Sequence, residues 1–148
     1  MNNDFFLAVK STLDKEAYDL SVSLGTQAAD MDDTVKAQEI LSKPDAAIIW
    51  QLISVDEVPL DPMYEVAFVI GAKTTNDSGN YDLLQFNSNV NDKFYKGARI
   101  SVKDYSGASA SAEEGYLFVT DVGLAPQQFE NESGIRFLSI LAKGVRII

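Results

Sequence analysis

The chain contains no cysteine and no histidine among its 148 residues. Without thiols there is no disulfide, no thiolate nucleophile and no Cys/His zinc site. Without imidazole there is no Ser-His triad, and the side chain that most often moves protons near neutral pH is missing. Most common enzyme mechanisms are therefore out of reach, and the expectation is a protein that is not an enzyme and holds no cofactor. Basic residues are also scarce, 12 against 22 acidic ones, for a net charge of −10. Non-specific affinity for nucleic acid comes mainly from Lys and Arg displacing counterions, so direct binding of DNA or RNA is not expected. An acidic wall of this kind would instead let a phosphate backbone slide past without sticking. Long apolar runs are missing as well: Ala46 to Trp50 and Val66 to Ala72 fall far short of the ~20 residues a membrane helix needs. The N-terminal MNNDFFLAVK carries Asp4 early and has no basic segment leading into an apolar core, unlike a secretory signal. These absences predict a soluble, intracellular chain with no membrane partner.

What is present suits a single domain over 1–148. Hydrophobic residues make up 46% and charged ones 23%, and a chain of this length buries roughly 70% of the surface its unfolded form exposes. The stretch from Gly115 onward organises the rest. It reads as two long strands, Tyr116–Val122 and Ile135–Ile147, apolar on both alternating faces, which predicts central strands covered on both sides.

Upstream, Phe6, Val9, Leu13, Ala17, Leu20 and Leu24 recur at steps of three or four, one face of a helix that starts near Asn3 or Asp4 and stops at Gly25. Ser11, Lys15 and Asp19 fall on its other face. The polar segment 25–44 carries Asp32 and Asp33, either of which could cap a short helix running to Glu39 or Leu41. Asp30, Asp32 and Asp33 do not make a calcium loop, because Val35 and Leu41 stand where such a loop needs Gly and Glu. Capping and solvated surface account for them. Strands follow at Ala46–Val55 and Tyr64–Thr74, joined by a turn that Pro59 and Pro62 impose, and therefore form a hairpin. A second helix, about Tyr81–Lys96, buries Leu83, Phe86, Val90 and Phe94 and ends at Gly97. Arg99–Tyr105 alternates as a strand with one wet face, suited to a sheet edge, and SGASASAEEG reads as a mobile surface loop. The fold class is α+β, one mixed or antiparallel sheet with helices packed on it, in the order α-β-β-α-β-β.

No residue set converges on chemistry. Glu113 with Glu114, and Glu130 with Glu132, are loop carboxylates with no cleft implied around them. TTNDSGN has neither spacing of a phosphate-cradling loop. The residues left as candidates are for protein contact, and Glu113, Glu114, Glu130 and Glu132 are among them, on acidic loops that could dock on a neighbour. Trp50 reads as a core or subunit-interface anchor rather than a ligand-stacking residue. Phe129, isolated on a long acidic loop, either meets a partner or docks on its own domain. Arg99, Arg136 and Arg146, few basic groups on an acidic chain, pair either across an interface or within the chain.

Carried by PDAAIIWQLISV, YEVAFVIGAKT, YDLLQFNSNVNDKFYKGARISV and GYLFVTDVGLAPQQFENESGIRFLSILAKGVRII, this order of elements resembles the small tail terminator proteins of tailed bacteriophages. The resemblance implies a virion protein of the tail and neck, assembled in the host cytoplasm. It would form a hexameric ring on the head-proximal end of the tail tube, stop tube growth and present the surface that joins the head connector or neck protein. The tail tube protein is then a partner, as is the sheath protein where the tail contracts, and the genome passes through the lumen. Alternatives are another neck or tail-completion protein of a phage or contractile injection system and, from a different class, a small-molecule-binding or enzymatic α/β domain.

Overall fold

The computed structural model describes residues 3–42, 47–57, 63–73, 81–105, 109, 111–124 and 135–146. The elements are α1 (Asn3–Leu24), β1 (Gln27–Asp30), α2 (Thr34–Ser42), β2 (Ala47–Glu57), β3 (Met63–Lys73), α3 (Tyr81–Phe94), β4 (Arg99–Val102), β5 (Gly115–Leu124) and β6 (Ile135–Arg146). The class is α+β, as the residue pattern predicts. The polar segment after α1 supplies a strand as well as the expected short helix, and the three strands after α3 correspond to those read at Arg99–Tyr105, Tyr116–Val122 and Ile135–Ile147, one more than the order α-β-β-α-β-β counts.

Local chemistry explains the helix ends. The Gly25 amide donates to Val22 O and the Thr26 amide to Ser21 O, the paired closure of a helix that ends on a left-handed residue. Gly25 has φ 66° and Gly97, the predicted stop of α3, φ 94°. Asp33 caps α2: its carboxylate accepts from the Lys36 amide at 3.2 Å, while its carbonyl accepts the first helical bond from Ala37.

One mixed sheet of six strands runs in the order β1-β2-β3-β6-β5-β4. The β1–β2 pair is parallel and every other pair antiparallel. The predicted hairpin is β2–β3, and β4 is an edge strand as its one wet face requires. Side chains alternate between two unlike faces. On one, Ile48, Trp50, Leu52, Tyr64, Val66, Phe68, Ile70, Leu117, Val119, Leu138, Ile140 and Ala142 pack under α1 and α3 in the main core. Phe5 stacks on Tyr64 with ring centroids 4.7 Å apart, so it leads the buried stripe of α1 and the predicted Phe6 is only half-buried. Phe94 meets Phe68 edge-on at 5.4 Å.

Among the described residues the other face is covered only at one corner, where Ile40 of α2 packs with Ala29, Ala47 and Ile49. Elsewhere it leaves Ile53, Phe118 and Leu141 exposed at 56%, 40% and 45%. The expectation that the last two strands are central and covered on both sides is therefore corrected. β6 is central and β5 lies next to the edge strand; on their second face Phe137 packs against the corner cluster, whereas Phe118 and Leu141 have no layer above them among the described residues.

A hydroxyl pair pins α1 to the far edge of the sheet. Buried Thr12 donates to Lys103 O at 3.0 Å and accepts from Lys103 N at 3.1 Å; Ser11 donates to the same carbonyl and accepts from Tyr105 N. Ser11 is thus a packing residue, although periodicity assigns it to the outer face. Thr12→Val keeps the shape, leaves the carbonyl its bond from Ser11, and strips the Lys103 amide of its acceptor. A loss of about 1–3 kcal/mol is expected in chemical denaturation.

Candidate functional site

Trp50 belongs to the core rather than to an interface. It is 5% exposed, and its indole N–H donates to Asp14 Oδ1 at 2.8 Å. The carboxylate of Asp14 also takes Lys10 Nζ at 2.7 Å, and Lys10 in turn bonds Asp30 of β1. This chain ties α1 to the first two strands. Burial pulls the Lys10 pKa down, but the hydrogen bonds to Asp14 and Asp30 and their negative charges outweigh it, leaving the ammonium above its ordinary 10.5. A folded-state pKa raised above the unfolded one gives stability that is fully present below about pH 10.5 and fades as pH rises through the folded value. Urea unfolding between about pH 9 and 11.5 should therefore fall less steeply with pH in Lys10→Met than in the unsubstituted chain.

Asp30, Asp32 and Asp33 serve structure. Asp30 takes Lys10 and the Asp32 amide, Asp32 accepts from Gln51 Nε2 at 3.0 Å, and Asp33 caps α2. Among the described residues no three acidic, histidine or cysteine side chains are grouped to hold a metal ion.

At the β4 edge the sequence-nominated charges do come together. Arg99 donates to Glu113 Oε1 at 3.0 Å and lies over the Tyr116 ring, 4.4 Å from its centroid, while Ser101 Oγ donates to the same carboxylate oxygen. Arg99 is therefore paired within the chain, on the open face. Glu114 donates its amide to Val102 O and accepts from Ser111 Oγ. Ser111 also exchanges bonds with Asp104, its amide donating to the Asp104 carbonyl and its hydroxyl accepting from the Asp104 amide. The stem of the SGASASAEEG loop is thus held rather than free. Arg136 stands in β6 opposite Ala72, and Arg146 opposite Gly115. The structure brings neither of them to the Arg99 group. Phe129, Glu130 and Glu132 lie outside the described residues.

No family model and no curated protein matches this chain. The candidate site has to be read from its surfaces. Among the described residues, two of the grooves open on different sides. One, of about 320 Å³, lies between α1 and α2, where exposed Tyr18 and Val22 face Lys36, Glu39 and Ile40. The other, of about 330 Å³, lies on the open sheet face among Ser54, Asp56, Glu65, Ala67, Leu141 and Lys143. Register places Asp56, Glu65, Lys143, Phe118 and Arg99 in one row across five strands, acidic at the β2 end and basic toward the β4 end. These are side chains suited to meeting another surface. The sequence nominated Arg99 and Glu113 but missed Ile53, Phe118 and Leu141. Their apolar neighbours made them look like core, and strand periodicity cannot tell a covered face from an open one.

Proposed function

We propose that the protein is a structural component of a phage tail, a tail terminator that assembles into a ring, caps the head-proximal end of the tail tube and offers its other side to the head connector or neck protein. The observation that carries this reading is the pair of unlike, uncovered surfaces: apolar Ile53, Phe118 and Leu141 on the open sheet face, and Tyr18 with Val22 on α1. Contiguous exposed apolar side chains mark contact surfaces, and a closed ring of identical subunits needs two different patches on each copy. The acidic balance, 22 carboxylates against 12 basic residues, fits a lumen that passes a genome without gripping it. In this role the chain does no chemistry, and its partners are copies of itself, the tube protein, the connector and, in a contractile tail, the sheath.

Two measurements test this. Light scattering of the purified chain should give six times the protomer mass, alone or on addition of tube ends. Added to polymerising tube protein, the chain should shorten the tubes and appear as a ring at one end. A monomer that leaves tube length unchanged would overturn the proposal.

A further inference from the structure

The two edges of the sheet are stepped, and the steps are complementary. β1 covers the outer side of β2 only from Ala47 to Trp50, so from Leu52 to Glu57 that side has no strand among the described residues. At the opposite edge β4 covers β5 only from Gly115 to Phe118, and main-chain bonds of Gly97 and Ala98 extend the cover to Val119. From Thr120 to Leu124 the outer side of β5 has no described strand either. Followed across the sheet by register, Leu124 is level with Leu138, Ile70 and Trp50, whereas Phe118 is level with Lys143, Glu65 and Asp56. The short strand at one edge therefore sits at one end of the sheet, and the short strand at the other edge sits at the opposite end.

We propose that neighbouring copies join edge to edge, head to tail, with β1 of one copy filling the step beside β5 of the next and β4 filling the step beside β2. Strand directions allow it: β1, β2, β4 and β6 run one way and β3 and β5 the other, so the new β1–β5 contact is antiparallel and the β4–β2 contact parallel. A stagger of about four residues along the strands, roughly 13 Å at about 3.3 Å per residue, engages both steps together. Gln27 then faces Gly123, Ala28 faces Val122 and Ala29 faces Asp121; the main chain of Gly97 and Ala98 closes the step at Val119, so the incoming chain has to leave the sheet at Asp30, the last residue of β1. At the other step Arg99 faces Gln51, Ile100 faces Leu52 and Ser101 faces Ser54.

Three features select this register. An even stagger keeps each side chain on its own face, whereas an odd one would turn the apolar set outward. Ala28, Val122, Ile100 and Leu52 all belong to or border the main core beneath the helices, so both contacts continue that core. On the open face Arg99 meets Gln51, whose amide already holds Asp32, so a guanidinium from one copy approaches a carboxylate of the next. The bulges at Leu52/Ser54 and Val119/Asp121 interrupt both open stretches, which limits what can pair there to short strands such as β1 and β4. Each copy uses two different edges, so the contact is heterologous, and a closed ring leaves no edge unpaired. The inference names the interface of the ring proposed above and rests on that reading for closure.

The absence of native cysteine makes the test clean. Gln27→Cys and Gly123→Cys are introduced into one chain; both positions are exposed and lie on the same face. Within a copy they are separated by β2, β3 and β6, about 19 Å at ~4.8 Å per strand, too far for a disulfide, so any bond joins two copies. Mild oxidation should give a covalent ladder on a non-reducing gel ending at the ring mass, and each single-cysteine variant at most a pair. The control Gly123→Cys with Gln38→Cys, on exposed α2, should give no ladder. Equal ladders from both pairs would overturn the inference, because random collision would explain them. A chain that weighs as a ring yet yields no ladder from the matched pair would overturn the edge contact and leave the ring reading standing. No ladder from a chain that remains a monomer, tube ends present, would overturn both, and a matched-pair ladder stopping short of six would uphold the contact and overturn the hexamer.

Discussion

Gly115→Ala is expected to destabilise the protein by about 3 kcal/mol or more, a fall in melting temperature of roughly 10 °C for a domain of this size. The cause is space and not backbone conformation. A methyl group on Gly115 would lie 2.2 Å from the Val145 carbonyl oxygen, 2.7 Å from a ring carbon of Phe5 and 3.1 Å from the Arg146 Cα. Two of those atoms are backbone of the strand that Gly115 pairs with, so neither can swing aside. The phenylalanine is held in turn against Tyr64, 4.7 Å away. Relief requires β5 to draw back from β6 at the point where α1 rests on both. The control is Gly123→Ala in the same strand, where nothing lies within 4 Å of the added carbon; a change within about 0.5 kcal/mol is expected there. Thermal unfolding of the two variants beside the unsubstituted chain decides the matter. A Gly115→Ala protein that melts with the parent would mean that β5 and β6 do not approach this closely.

Neither glycine's role is visible in the sequence, where both read as small residues near the ends of an apolar run. The same limit runs through the chain. Helix ends were legible, because Gly25, Gly97 and Asp33 act through their own backbone or through amides a few residues away. The hairpin and the edge position of β4 were legible for a related reason: loop length and a one-sided wet pattern are local. β1 was not. Gln27–Asp30 holds only Ala28 and Ala29 as apolar residues, and its pairing with β2 depends on a parallel neighbour that no local signal announces. The candidate contact residues divide in the same way. Arg99 and Glu113 are 14 residues apart and meet at one edge of the sheet, whereas the choice between core and subunit interface for Trp50 is decided by its burial and by Asp14, 36 residues earlier, which accepts from its indole. The open face is not legible in the sequence because Phe118 and Leu141 sit in runs as apolar as any in the core; what distinguishes them is that no described helix lies above.

Phe68→Ala and Phe118→Ala therefore separate the two faces by energy. Phe68 is 1% exposed, packs edge-on against Phe94 at 5.4 Å and lies level with Leu52 and Ile140 in the main core. Its truncation removes a large buried ring and leaves a cavity that β-strand backbone on both sides cannot close, at an expected cost of about 3–5 kcal/mol. Phe118 is 40% exposed and meets Tyr116 edge-on at 5.1 Å, so in the isolated protomer its truncation should cost about 1 kcal/mol or less. Denaturant unfolding at a concentration where the protein is monomeric measures both. If the two costs were equal, the second face of the sheet would have to be covered by the chain itself, and the case for it as a contact surface would fail. If Phe118→Ala is mild in the monomer but lowers the mass or stability of an assembled form, that assembly uses this face. The exposed phenylalanine would then be explained by burial that only assembly provides.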